Sequence, residues 1–295
     1  MSLRTTRQMA FRYQVPPAVR RKYDRLRREL AGMGKVLVAF SGGVDSTLLL
    51  RTARDVLGRN VLAVIATSET YPGREIRAAR ALARRLAVRT KVIHTEELRN
   101  PEFVANSPER CYYCKRELFT ALRGIAEKEG IGFVLDGANT DDRSDFRPGS
   151  RAGRELGVRS PLEEAGLRKA EIRSLSRALG LATWDKPSLA CLASRFPYQT
   201  RIESEGLRRV GRAEEFLRRL GLRQLRVRHH GPVARIEVEA ADFPKLLAPR
   251  VRTRLTSFFK KLGYTYVTMD LDGYRTGSLN AVSYTHLTLP TNREV

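Results

Sequence analysis

The stretch that most constrains this chain is Val36-Leu37-Val38-Ala39-Phe40-Ser41-Gly42-Gly43-Val44-Asp45-Ser46-Thr47-Leu48-Leu49-Leu50. The apolar run from Val36 to Phe40 has the length and β-branched content of a strand buried on both faces, as in a parallel sheet. A turn of small residues follows, and an apolar helix begins inside it. Gly42 and Gly43 can take backbone angles that other residues resist. Ser41, Asp45 and Ser46 put hydroxyls and a carboxylate around the helix start. The unsatisfied N–H groups there, at the positive end of the helix dipole, attract anions. The stretch therefore predicts a phosphate cradle at the carboxyl end of the first strand. An ordinary glycine-containing strand–helix turn is the alternative, but it does not need Ser, Gly, Gly, Asp and Ser in one register.

The SGGxDS form resembles the PP-loop of the N-type ATP pyrophosphatases. It departs from the Walker pattern, because no Gly-Lys-Ser/Thr follows. In the families resembled, this loop holds the pyrophosphate leaving group while an acceptor oxygen is adenylylated. The resemblance implies ATP and Mg²⁺ as cofactors, with Ser41, Gly42, Gly43, Asp45 and Ser46 around the pyrophosphate and Asp45 as a candidate Mg²⁺ ligand.

The rest of the first half repeats the strand–helix alternation. A charged helix is expected at about 18–31, a helix to about Leu57, a strand over Val61 to Ala66, and a helix at about 73–87. Lys91 to His94 ends a third strand, Arg110 to Glu129 reads as a helix, and Gly132 to Gly137 as a fourth strand. This order predicts an α/β fold, a doubly wound parallel sheet with its ligand site at the carboxyl ends of the strands. Ser41, Ser68 and Asp136-Gly137 fall on that edge, so Ser68 and Gly137 join the ATP candidates. Asn139 to Arg154 is polar and reads as an active-site loop. A helix is expected at about 168–180, followed by an irregular stretch from Trp184 to Tyr198.

A smaller α+β unit follows, with a helix at about 203–220, strands at 223–229 and 233–239, a helix at 241–262 and a strand at 264–271. The expected organisation is a PP-loop domain over 18–190 and a substrate-binding or oligomerisation domain over 197–280. Residues 282–295 have neither the charge nor the pattern of what precedes them and look like a non-native tail.

There are three cysteines, Cys111, Cys114 and Cys191. An odd number, with no secretory signal, argues against a disulfide framework. Cys111 and Cys114 are one helical turn apart, so both thiols can face one site. Arg110, Lys115 and Arg195 are adjacent cations of the kind that favour thiolate. Three thiolates with one open position suit a [4Fe–4S] cluster carrying an extra ligand on its fourth iron. A zinc site, a redox dithiol and inert cysteines are the alternatives; a structural zinc usually takes four protein ligands.

Ser41 to Thr47, Arg110-Cys111-Tyr112-Tyr113-Cys114-Lys115, Leu135-Asp136-Gly137, Asp145-Phe146-Arg147-Pro148-Gly149 and Ala190-Cys191-Leu192-Ala193-Ser194-Arg195-Phe196-Pro197-Tyr198 together are similar to the LarE family. So is Arg226-Val227-Arg228 followed by Ala234-Arg235-Ile236-Glu237, and the resemblance spans about residues 18–280. These are sulfur transferases of nickel-pincer nucleotide biosynthesis, the cofactor of lactate racemase. The resemblance implies adenylylation of a carboxylate of pyridinium-3,5-biscarboxylic acid mononucleotide, then replacement of oxygen by sulfur. One branch of the family sacrifices a cysteine, and another uses three cysteines to hold a [4Fe–4S] cluster. This chain matches the three-cysteine branch, which makes Cys111, Cys114 and Cys191 the catalytic and cluster-ligating candidates. By family position Ser194, Arg195, Glu214, Arg226, Arg228 and Asp242 are the substrate-side candidates. Arg226 and Arg228 alternate on a strand and so face one side, where arginine can grip a phosphate bidentately. A solvated strand face is the alternative. Gln199 departs from the family, which often has Gly there, and bears on the bend of that loop.

The formal net charge is +23, spread over many helices. It suits phosphate-bearing substrates of any size and does not by itself argue for nucleic acid. A tRNA thiolation enzyme is the runner-up, but no RNA-binding module is recognisable. A nucleotide-binding regulator without turnover is the second alternative. No apolar run approaches the roughly 20 residues of a membrane span, and no signal peptide is evident. The expectations are therefore a cytoplasmic protein with no membrane partner, a small nucleotide substrate, a sulfide or persulfide donor, and a homo-oligomer by family analogy.

Overall fold

The computed structural model describes residues 11–144, 148–188 and 190–275. The expectations for Asp145, Phe146 and Arg147 and for the 282–295 tail lie outside the described residues. In chain order the helices and strands are α1 (Pro17–Ala31), β1 (Val36–Ala39), α2 (Val44–Leu57), β2 (Val61–Thr67), α3 (Gly73–Arg85), β3 (Arg89–His94), α4 (Pro101–Val104), α5 (Arg110–Lys128), β4 (Phe133–Leu135), α6 (Pro148–Glu155), α7 (Pro161–Glu164), α8 (Lys169–Ala178), α9 (Ser204–Arg219), β5 (Leu225–His230), β6 (Val233–Val238), α10 (Phe243–Leu247), α11 (Pro249–Lys261) and β7 (Tyr266–Met269). They group into two compact units, Met1–Glu97 with Glu109–Leu189, and Leu98–Pro108 with Ala190–Val295.

The first unit is built on a four-stranded parallel sheet in the order β3-β2-β1-β4. Successive residues of a strand point to opposite faces, and both faces are apolar. Val36, Val38, Ala63 and Ile65 join a core with α1, α2, α3 and α8. Leu37, Leu62, Val64 and Val134 join a second core with Leu118, Phe119, Leu122 and Ala126 of α5. The sheet is thus covered by helices on both sides, as an all-parallel sheet requires. All four strands end on one edge, delivering Ser41, Ser68, Thr95 and Asp136 to it. The chain leaves β1 toward β2 and β3 and returns to β4 on the other side. The crevice at β1 is therefore the topological switch point where such sheets hold ligands.

Part of the expected Asn139–Arg154 loop is instead core. Helix α6 buries Ala152, and a Cβ on Gly153 would stand 3.3 Å from the Phe119 ring. Its buried positions are small residues, so no large apolar side chain marked its periodicity.

The second unit places α9 with a three-stranded sheet in the order β5-β6-β7. The β5–β6 pair is antiparallel and β6–β7 parallel. Leu217, Leu225, Val227, Ile236, Leu255, Phe259 and Tyr264 form its core. The single helix expected over 241–262 is divided, with α10 ending before α11. Pro249 has no N–H to continue a helix and forces the preceding residue into extended geometry; Ala248 has φ −53° and ψ 129°. The excursion Leu98–Pro108 groups with this unit. Asn106 Nδ2 donates to the carbonyls of Pro197 and Thr200 at 2.7 and 3.0 Å, and the Ile202 N–H donates to Val104 O at 3.0 Å. Among the described residues no helix is long and apolar enough to cross a membrane.

Candidate active site

The phosphate turn runs from the end of β1 into α2. Gly42 has φ +70°, a left-handed angle that favours glycine, and it is buried so closely that a Cβ would lie 2.9 Å from that of Ala79. The Gly43 N–H donates to Ser41 Oγ at 3.3 Å, and the Ser41 and Ser46 hydroxyls are 3.0 Å apart. Thr47 Oγ1 donates to Gly43 O at 2.7 Å, tying the turn down from inside. The N-cap of α2 is Gly43, which has no side chain to cap the helix. The first-turn N–H groups therefore lack a side-chain oxygen from that position and suit an anion. A Cβ on Gly137 would come within 3.0 Å of the Ser46 nitrogen, so glycine there lets the β4 exit lie directly on the start of α2. Ser68 stands at the exit of β2, where its hydroxyl meets Thr70 Oγ1 at 2.8 Å and accepts from the Thr70 N–H.

Two lysines that the sequence did not single out as site residues converge on this turn. Lys186 donates to the Gly42 carbonyl at 2.9 Å and pairs with Glu75 of α3 at 2.8 Å. Lys169, the first residue of α8, pairs with Asp45 Oδ2. Asp45 Oδ1 is buried and, among the described residues, has no hydrogen-bond partner. A buried carboxylate oxygen in that condition is costly and matches the hard oxygen ligand that Mg²⁺ takes. The turn therefore fits the Mg²⁺-nucleotide that its pattern implies.

Cys111 and Cys114 lie on the first turns of α5, Cys111 exposed and Cys114 half-buried. The Cys114 thiol meets a carboxylate. It donates to Glu97 Oε1 at 3.7 Å, and Thr95 Oγ1 reaches the same oxygen at 3.0 Å. Lys115 turns instead over the Phe119 ring, 5.3 Å from its centroid. Among the described residues no group of three or more His, Cys, Asp and Glu side chains stands ready to hold a metal ion. Three thiols remain the right donor chemistry for iron and sulfide.

In the second unit, Cys191 is half-buried at the N-cap of a short 3₁₀ turn over Leu192–Arg195. Its carbonyl accepts from Ser194 Oγ at 2.8 Å and from Arg195 Nη1 at 3.0 Å. Arg195 also donates to Ala190 O and to Ser194 Oγ, then grips Glu214 of α9 with its other side. Arg228 grips Glu237 with two bonds of 2.8 Å and donates from Nη1 to Ser194 O. Arg226 has its guanidinium over the Tyr274 ring, 5.0 Å from the centroid. Arg195, Arg226, Arg228, Glu214 and Glu237 are all buried, which excludes the solvated strand face. Burial by itself would push the Glu214 carboxyl up, but the Arg195 charge and hydrogen bonds, with Arg226 behind them, hold it below the usual range. Burial lowers Arg226, and Arg195 adds to that by repulsion. Asp242 stands outside this network, half-buried at the start of α10.

Residues 19–109 match the model of the NAD synthase family. The chain is 40% identical over 252 residues to pyridinium-3,5-bisthiocarboxylic acid mononucleotide synthase of Lactiplantibacillus plantarum, covering 85% of this chain and 91% of that one. It is 44% identical over 261 residues to an uncharacterised protein of Synechocystis, covering 88% of this chain and 97% of that one. A third relative, an uncharacterised protein of Methanocaldococcus jannaschii, is 30% identical over 241 residues, covering 82% of this chain and 91% of that one.

Proposed function

This chain belongs to the LarE family of PP-loop enzymes, and from that premise we propose that it converts pyridinium-3,5-biscarboxylic acid mononucleotide to its thiocarboxylate at the expense of ATP. It is an ATP-dependent sulfurtransferase. The observation that carries the reading is the first turn of α2, with its glycine N-cap and the buried, unpartnered Asp45 Oδ1 beside it.

Oxygen bound to an acyl carbon as carboxylate is a poor leaving group. A substrate carboxylate oxygen attacks the α-phosphorus of ATP, and the bond from that phosphorus to the bridging oxygen breaks. Pyrophosphate departs with the electron pair into the N–H groups of α2 and the hydroxyls of Ser41 and Ser46. Mg²⁺ held by Asp45 would neutralise charge on the departing phosphates. A sulfide sulfur then attacks the acyl carbon, the carbon–oxygen bond to AMP breaks, and a thiocarboxylate remains. One oxygen leaves on AMP for each sulfur gained. Nickel-pincer cofactor synthesis for lactate racemase is the pathway the family supplies.

For the sulfur we favour the three-cysteine branch, in which Cys111, Cys114 and Cys191 would hold a [4Fe–4S] cluster, whose chemistry would supply the sulfide. The set of three thiols supports this choice. Ser194, Arg195 and Glu214 fix the backbone of Cys191, and Arg226, Arg228 and Asp242 are proposed to read the substrate phosphate and its surroundings. Product analysis with ATP, sulfide and the biscarboxylate mononucleotide tests the reading. AMP, pyrophosphate and a thiocarboxylate are expected in equal amounts; ADP, or thiolated tRNA in place of thiolated nucleotide, would overturn it.

A further inference from the structure

Lys169 is badly placed for helix stability. It is the first residue of α8, where the helix dipole disfavours a cation. The surrounding structure nevertheless holds it there. Its own N–H donates to Asp141 Oδ2 at 2.9 Å, and Glu171 accepts from the Arg168 N–H at 2.8 Å. Lys22 pins Glu171 in turn at 2.7 Å. The result delivers one ammonium to Asp45 Oδ2, on the first turn of α2. Lys186 differs, because a backbone carbonyl and a second acid occupy it and fix it to the loop. Among the described residues the Lys169 ammonium pairs with the Asp45 carboxylate alone, and the other oxygen of that carboxylate is buried without a partner.

We propose that Lys169 is a binding residue of the nucleotide site that serves as the counter-ion of Asp45 until nucleotide and metal arrive, and then passes to the phosphates. An ammonium and a divalent cation repel when they share one carboxylate. ATP brings oxygens of higher negative charge to the same spot, so Asp45 has a cation beside it in both states, the ammonium before and the metal after. Lys169 neutralises Asp45 in the empty loop and offsets one charge of the triphosphate in the filled one. It thereby keeps adventitious divalent metal off Asp45 when no ATP is present. The inference rests on the reading of Ser41 to Ser46 as a nucleotide site.

The test uses the whole chain with Mn²⁺ as a paramagnetic probe and α,β-methylene ATP, which cannot release pyrophosphate. Lys169→Gln keeps a polar side chain without the charge, and Lys169→Arg keeps the charge. Losing one charged hydrogen bond should weaken binding of the analogue about tenfold in Lys169→Gln. Mn²⁺ binding without nucleotide should tighten in the same variant, and Lys169→Arg should restore both toward wild type. If Lys169→Gln matches wild type in both, Lys169 is a structural ion pair and the assignment fails. If Gln and Arg lose binding equally, shape rather than charge matters, and it also fails. Wild-type protein that binds no analogue at all would overturn the nucleotide site together with the inference.

Discussion

Arg195 reaches Glu214 with Nε at 2.8 Å and Nη2 at 3.0 Å, both side chains buried, while Nη1 holds the carbonyl of Cys191 at 3.0 Å. The pair sets the backbone from which Cys191 projects. Removing Glu214 leaves a buried guanidinium uncompensated, so Glu214→Leu is expected to lose about 3–5 kcal/mol in urea unfolding. Replacing both, as Arg195→Met with Glu214→Leu, should recover much of that loss while leaving Cys191 less well placed. Equal stability of the single variant and wild type would refute the argument.

Acid should weaken the second unit in two stages. Burial, then Arg209, hold His229 below the usual 6.5, and burial, then Arg235, do the same for His230. The unfolded chain therefore takes up protons that the folded chain refuses. That contribution is complete above pH 6.5 and is lost as the pH falls below it. Glu214 is held below the usual 4.5, so its contribution is present above that pH and lost below it. Thermal unfolding followed from neutral pH downward should show both stages, and His229→Asn with His230→Asn should flatten the first. A flat profile in the wild type down to pH 4.5 would count against it.

Gly42 carries two separable demands, a φ of +70° and the approach of Ala79. Gly42→Ala is expected to cost about 1–3 kcal/mol and to abolish nucleotide binding measured by calorimetry. Adding Ala79→Gly removes the contact but not the backbone strain, so it should restore only part of the stability. Full restoration would show that the angle does not matter.

Gln199 also has a left-handed φ, +65°, and its N–H donates to Asn106 O at 3.0 Å. That angle is the physical reason glycine suits this position. Gln199→Gly should be tolerated or stabilise by up to about 1 kcal/mol, whereas β-branched Gln199→Val should cost about 1–2 kcal/mol. Chemical denaturation of both decides the point, and the opposite order would refute it.

Protein prepared without oxygen should be brown and carry about four irons and four labile sulfides per chain, and each of Cys111→Ser, Cys114→Ser and Cys191→Ser should lower that content. Colourless, iron-free protein would overturn the cluster. A dehydroalanine at Cys191 after turnover, found by mass spectrometry, would replace it with the sacrificial route.

Much of this was legible in the sequence because it is local. The apolar runs of β1 and β2 can only be buried on two faces, and the Ser41–Ser46 turn carries its own chemistry in consecutive residues. Helix periodicity located α1, α2, α3, α5 and α9 to within a few residues. Helix α6 carries no periodic signal because its buried positions are proline, alanine and glycine, and the break at Pro249 is masked by apolar spacing that continues across it.

What the sequence determined by itself is the parallel sheet and the anion-binding turn at the end of its first strand, since hydrophobic periodicity, glycine geometry and helix-end N–H groups act over a few residues. Only the tertiary structure decided which distant charges complete that turn. Asp45 and Lys169 are 124 residues apart, and no local pattern makes one lysine among the chain's 55 Lys and Arg residues the partner of that aspartate. Coulombic partners are chosen by distance in space and by burial, and folding alone fixes both.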